Sequence, residues 1–232
     1  MRDFMCVAYG FSIKDVKNVY DRFEVVNTLP DLQPRWNVRP GQLNPVITHH
    51  SPNQISRMFW GLIPSWAKDD SHKYKTINAR AETVATLPTY RASFRHKRCL
   101  VPANFFYEPD KIHDQKPPFP WSCFQFTDKR LFAFAGLYDI WADKKTGREI
   151  YSYTIITTEP NGVVGKIHNR MPAILHREDE ETLLNPAITK PERLLPLLKP
   201  YEPASDMEMW SVGDAARNPR NDFPELINPI ES

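Results

Sequence analysis

Hydrophobic positions along this chain recur at helical spacing in one early stretch and gather into short β-type runs over most of the remainder. Ile13, Val16, Val19, Tyr20 and Phe23 stand three and four residues apart, which predicts an amphipathic helix over 13–23 with Ser12 as its N-cap. Pro30, Pro34 and Pro40 then punctuate a loop running into residues 35–41, and 45–48 and 57–62 read as short strands. The runs 98–106, 119–126 and 131–137 are apolar, aromatic and β-branched, and Pro-rich or charged turns separate them. They predict consecutive antiparallel strands, with a further strand at 151–157. Residues 177–184 and 191–198 read as short helices, the second opening on a favourable proline. With a final strand after them, this order predicts an α+β fold: a curved, barrel-like antiparallel sheet with a few peripheral short helices, in a single domain spanning 1–232.

Composition supports that reading. Twenty-two prolines against 8 glycines favour short extended segments joined by stiff turns over long helices. A 41% apolar content supplies a sizeable core and excludes a disordered chain. The net charge of +2 excludes a large uniform electrostatic grip on nucleic acid. A local basic cluster remains, Arg80, Arg91, Arg95, Lys97 and Arg98, with Glu82 the one acid among them. Cys6, Cys99 and Cys123 have neither the number nor the spacing of a disulfide framework or a zinc site. Without an apolar membrane span or signal core, the expectation is a cytoplasmic protein that needs no membrane, metal or small-molecule cofactor.

Four segments carry more polar groups than a core strand or loop requires. Met5-Cys6 is the first: freed of everything before it, Cys6 would present a thiol and an α-amine on adjacent carbons, a pair that closes on an aldehyde to form a thiazolidine ring. An α-amine titrates near about 7.7–8.0, so a useful fraction is nucleophilic at neutral pH. In the second segment Asn78, Arg80 and Glu82 alternate along 76–83 and share one face of an extended backbone. There Asn78 suits a sugar oxygen and Arg80 a phosphate. The third, 98–108, delivers Glu108 at the end of an apolar run, where aromatic neighbours push a carboxyl pKa up toward general acid and base work. The fourth, 165–172, sets His168 between Lys166 and Arg170, suited to a phosphate or a sugar oxygen. Taken singly, each has an ordinary alternative: a buried thiol, a solvated strand edge, a surface acid, a structural histidine.

In this order, the segments Met5-Cys6, Trp36-Asn37-Val38-Arg39-Pro40-Gly41, Phe59-Trp60-Gly61-Leu62-Ile63-Pro64-Ser65-Trp66, 78–83, 98–108, Ile167-His168-Asn169-Arg170-Met171-Pro172 and the Pro-rich stretch 218–229 resemble the SOS response-associated peptidase family, whose members crosslink to abasic sites in single-stranded DNA. The resemblance implies that Cys6, exposed by removal of the preceding residues, forms a thiazolidine with the ring-opened abasic sugar. It gives Asn78 the positioning of cysteine and sugar, Glu108 the proton transfers, and His168 assistance in ring opening. Arg80, Trp66, Asn37 and Arg170 would contact DNA, Trp66 as an aromatic wedge whose stacking contributes on the order of 1–3 kcal/mol. Lyase, self-reversal and self-processing peptidase activity, single-stranded DNA with abasic sites as partner, a monomer, and a place on the nucleoid when bound complete the expectation.

The chain departs from the family pattern in three places. Cys6-Val7-Ala8-Tyr9 lacks the usual Gly-Arg after the cysteine, Pro109 replaces the tryptophan that commonly follows the glutamate, and four residues precede Met5. These motivate an alternative, a non-catalytic single-strand or junction-binding member. A thiol hydrolase built on Cys99 or Cys123 with His168 is the remaining reading, and the apolar strand patterns around both thiols argue against it.

Overall fold

The computed structural model describes residues 6–12, 17–49, 53–113 and 118–230. In chain order its strands are β1 (Ala8–Phe11), β2 (Arg35–Val38), β3 (Leu43–His49), β4 (Asn53–Trp60), β5 (Asn78–Arg80), β6 (Arg98–Ala103), β7 (Phe105–Pro109), β8 (Trp121–Phe126), β9 (Phe132–Ala142), β10 (Glu149–Thr158), β11 (Met171–Pro172) and β12 (Met207–Val212). The helices are α1 (Lys17–Phe23), α2 (Arg91–His96), α3 (Arg177–Leu184) and α4 (Pro191–Leu194). The architecture is α+β with a barrel-like sheet at its centre.

Strand β6 is buried at every position and β9 over its first half, the pattern of strands covered on both faces. They pair antiparallel, β9 turns back on β10 from Ala142↔Glu149 to Gly136↔Ile155, and β3 joins β6 to β4. A short parallel contact of β10 with β4, Ser152↔Phe59 and Tyr153↔Trp60, closes the ring β10-β4-β3-β6-β9. Closure leaves those strands few open edges. A second, wholly antiparallel sheet runs β12-β8-β7-β1-β2. Aromatic rings join the two: the Tyr9 and Tyr153 hydroxyls are 2.8 Å apart, Tyr9 tilts against Trp60, and Phe106 stacks on Phe124 and meets Phe134 edge-on. No helix among the described residues is long and apolar enough to cross a membrane.

The run 98–106, which reads as one strand, is two. At Asn104 the chain leaves the barrel and enters the second sheet: its amide donates to the Gly10 carbonyl, its side-chain oxygen accepts from Ser12, and its carbonyl accepts from Gln125. Consequently β8 pairs with β7 and β9 with β6, while β8 and β9 lie in different sheets rather than forming a hairpin. Apolar patterning identifies strands but not the sheet each joins. The early helix is described from Lys17 onward, the rest of 13–16 lying outside the described residues, and Ser12 is tied to Asn104. Helix α3 coincides with the expected 177–184; α4 is shorter than 191–198 and passes into a 3-10 turn at Leu195–Leu197.

Where β4 ends, Gly61 has φ of +137° and donates its amide to the Tyr153 carbonyl. This turn takes the chain off β10, and β5 occupies the same edge further along, Asn78 opposite Ile155 and Arg80 opposite Thr157. A Cβ at Gly61 would fall 2.0 Å from the carbonyl oxygen of Lys73. Gly61→Ala combines a left-side backbone conformation with a clash against main chain, so a loss of about 3 kcal/mol in stability is expected. A urea titration checks it, and an unchanged midpoint would show that the turn relaxes freely.

Candidate active site

Pairing of β1 with β7 in the register Ala8↔Tyr107 carries the residues just before β1 toward the far end of β7, and so brings Cys6 to Glu108. The Cys6 nitrogen donates to Glu108 Oε1 at 2.7 Å. Cys6 has φ of +41°, a left-handed conformation that costs a non-glycine residue roughly 1–2 kcal/mol, so the contacts around it hold it there. Strand alternation separates the neighbours of Glu108: Phe105 and Tyr107 pack in one apolar cluster, Phe106 in the main core. Glu108 shares the side of Phe106 and is wholly buried.

His168 arrives from the loop after β10. Asn161 shapes that loop by accepting the amides of Val163 and Val164 while donating to the Tyr201 carbonyl, and the amide of Lys111 donates to the Ile167 carbonyl. His168 is 1% exposed, with Nε2 4.0 Å from Glu108 Oε2. Its Nδ1 accepts from the Arg170 amide, which places the proton of a neutral ring on Nε2, facing the carboxyl.

Burial raises the Glu108 carboxyl to about 8, against the opposing pull of the Cys6 N–H and the Lys111 charge. At neutral pH the group is mainly a neutral acid. Burial, and after it the proximity of Glu108, also pushes the Cys6 thiol well above its ordinary range. Cys99 and Cys123 are buried thiols raised in the same way, and both lie inside strands, in β6 and β8.

The other expected residues fall into four groups. Asn78 stands on β5 with both polar atoms of its side chain shielded and without a hydrogen-bond partner among the described residues, so neither bonds to Cys6, Glu108 or His168. Arg80 and Trp66 are exposed, Trp66 at 58% with its ring edge-on to His72. Arg170 is engaged by Glu82 and by the Thr157 carbonyl. Asn37, expected at the DNA surface, is fully buried instead. Its Nδ2 donates to the carbonyls of Ala216, Asn218 and Asn221, and its Oδ1 accepts from Arg39, so its polar atoms are spent inside the protein. Among the described residues no group of three or more His, Cys, Asp and Glu side chains can hold a metal ion. Lys111 and Asn161 are the functional neighbours that sequence reasoning missed; the Asn161-Gly162 turn signal was available for the second.

The profile of the SOS response associated peptidase (SRAP) family matches residues 5–219. The chain belongs to this family. It is similar to two Bacillus subtilis (strain 168) proteins: 42% identical over 213 residues to abasic site processing protein YoqW, covering 90% of this chain and 93% of that one, and 42% identical over 214 residues to abasic site processing protein YoaM, covering 91% and 92%. A crystal structure of a Bacteroides thetaiotaomicron protein superposes with a TM-score of 0.86 at 28% identity, covering 97% of this chain and all of that one. The SRAP fold therefore extends over nearly the whole molecule.

The raised Glu108 pKa has a measurable sign. Below about pH 4.5 both folded and unfolded chains keep this proton. Between there and about 8 the folded protein holds a proton that the unfolded chain releases, so this group's contribution to stability falls as pH rises through that window. Glu108→Gln keeps an acceptor for the Cys6 nitrogen and has no proton to lose. Its stability relative to the parent should grow from pH 5 to pH 8 by a few kcal/mol, roughly 1.4 kcal/mol for each pH unit of the window, measured by denaturant titration at each pH. A difference that does not change with pH would show that Glu108 titrates normally.

Proposed function

We propose that this protein processes abasic sites in DNA, capturing the sugar aldehyde of an abasic site in a single strand as a thiazolidine on Cys6. The observation that carries the reading is the 2.7 Å contact between the Cys6 nitrogen and a buried carboxyl that titrates at about 8.

The chemistry begins with hydrolysis of the peptide bond before Cys6, which consumes one water and frees the α-amine. Glu108, already on that nitrogen, is placed to protonate it as it leaves; the family's peptidase designation fits this self-cleavage. The freed amine adds to the C1′ aldehyde of the ring-opened sugar. Glu108 protonates the departing hydroxyl, water leaves, and a Schiff base remains. The Cys6 sulfur then adds to the same carbon as the C=N π bond opens and its proton passes to the nitrogen, closing a ring with one C–N and one C–S bond and a net loss of one water. Burial raises the carboxyl toward the range in which an α-amine titrates, about 7.7–8.0, which brings the two closer in proton affinity, as general acid and base catalysis requires. His168 faces the second carboxyl oxygen and serves the sugar-ring opening, and the amide of Asn78, without a partner among the described residues, offers donor and acceptor to a sugar oxygen. Arg80, Trp66 and Arg170 meet phosphate and base. Reversal runs the same steps backward, and lyase activity would proceed from the Schiff base.

Protein beginning at Cys6, mixed with a single strand carrying one abasic site, should give a retarded band on a denaturing gel. Cys6→Ala and a form with the preceding residues retained should give none, and absence of the band from the processed parent would overturn the covalent reading. Glu108→Gln should slow band formation on the order of 10²-fold or more. The parent's rate should trace a bell centred near pH 8, limited by amine protonation below and loss of the Glu108 proton above; a rate still climbing beyond pH 9 would remove Glu108 as the acid.

A further inference from the structure

Arg170 follows His168 by two residues, and its guanidinium is already occupied. Glu82 takes its terminal fork, with Nη1 at 2.5 Å from Oε1 and Nη2 at 3.0 Å from Oε2. Nη2 also donates to the Thr157 carbonyl at 2.6 Å, the oxygen that accepts the Ala81 amide, so the pair is fixed where β5 leaves β10. Nε of Arg170 is shielded and has no hydrogen-bond partner among the described residues. The two partners differ in exposure: the Arg170 side chain is 12% exposed, that of Glu82 47%. Glu82 also lies in the field of Arg80, and the hydrogen bonds of Arg170, with the charges of both arginines, hold its carboxyl below the usual range. A planar anion with two oxygens therefore sits in the fork of an arginine, flanked by a second arginine, beside the candidate active site, and open to solvent on its own side. That is the arrangement in which an arginine receives a phosphodiester.

We propose that Glu82 is an internal stand-in for a DNA phosphate: an incoming strand must displace its carboxylate from Arg170, and this competition selects against strands without an abasic site. The inference rests on the reading of Arg170 as a DNA contact. An exposed carboxylate is inexpensive to displace, because most of what it loses is regained from water. It nevertheless neutralises the arginine in the free protein and repels the approaching phosphate. Undamaged DNA, held only by reversible phosphate and stacking contacts, bears that penalty in full. A strand with an abasic site bears the same penalty, and the covalent bond, once formed, offsets it. Glu82 is thus a specificity-determining residue that touches the reaction only through Arg170.

The test measures fluorescence anisotropy of a labelled single strand that contains no abasic site, titrated at one fixed salt concentration. Glu82→Gln, which removes the charge at a half-exposed position, should bind about 3- to 10-fold tighter than the parent at a temperature where both proteins are folded. Arg170→Gln should bind more weakly than the parent. Binding by Glu82→Gln that equals or falls below the parent's overturns the proposal, since a merely structural carboxylate would lower affinity when lost. Unchanged binding by Arg170→Gln overturns it as well, because the strand then does not meet that fork. Neither measurement involves Cys6, so failure of the gel assay for crosslinking and failure of this inference are separate outcomes.

Discussion

The hydrogen bond from the Cys6 nitrogen to Glu108 spans 102 positions of sequence and joins the candidate reactive residue to a wholly buried carboxyl. Everything else in the candidate site is arranged around keeping that carboxyl dry. The carboxyl is wholly buried, His168 faces its other oxygen at 4.0 Å, and the positive charge of Lys111 moderates the cost without cancelling it. An uncompensated buried carboxylate is expensive, and the protein resolves the difficulty by leaving the group protonated at neutral pH. The strained backbone at Cys6 belongs to the same arrangement, since an unconstrained residue would relax away from φ of +41°.

Delivery of these groups depends on two hand-overs of hydrogen bonding. At Asn104 one continuous extended segment passes from barrel to second sheet, which turns the alternation of β7 so that Glu108 faces the core. At Gly61 strand β4 yields the edge of β10 to β5, and the vacated edge receives Asn78 and Arg80. Strand β10 is thus the common reference: β5 lies on one edge of its last residues, β11 on the other, and His168 enters just before β11.

Much of this was legible in the residues themselves. Strands β8, β9 and β10 and helix α3 follow from apolar runs and turn residues, because each buries apolar side chains in the core. Cys6, Glu108 and His168 could be chosen from residue chemistry and family pattern, and they meet. The division at Asn104 was hidden because both halves of 98–109 are buried and apolar, and patterning does not say which sheet a strand enters. Asn37 misled for a related reason: an amide in a polar-looking stretch reads as surface until the three carbonyls that take its Nδ2, all beyond residue 215, are brought alongside. The roles of Lys111 and Glu82 depend on neighbours far away in sequence or across a strand edge, and nothing local marks them.

The grip of Asn37 imposes an order of assembly. Its strand lies near the start of the chain, yet the three carbonyls that satisfy its amide arrive only with residues 216–221. A nascent chain stopped short of that stretch would hold β2 with a thirsty side chain and Arg39 without its Ala216 acceptor, a fault that the antiparallel partner β1 is unable to mend. Completion of the second sheet is therefore a late event, whereas the β1–β7 pairing that brings Cys6 to Glu108 needs only the chain up to Pro109.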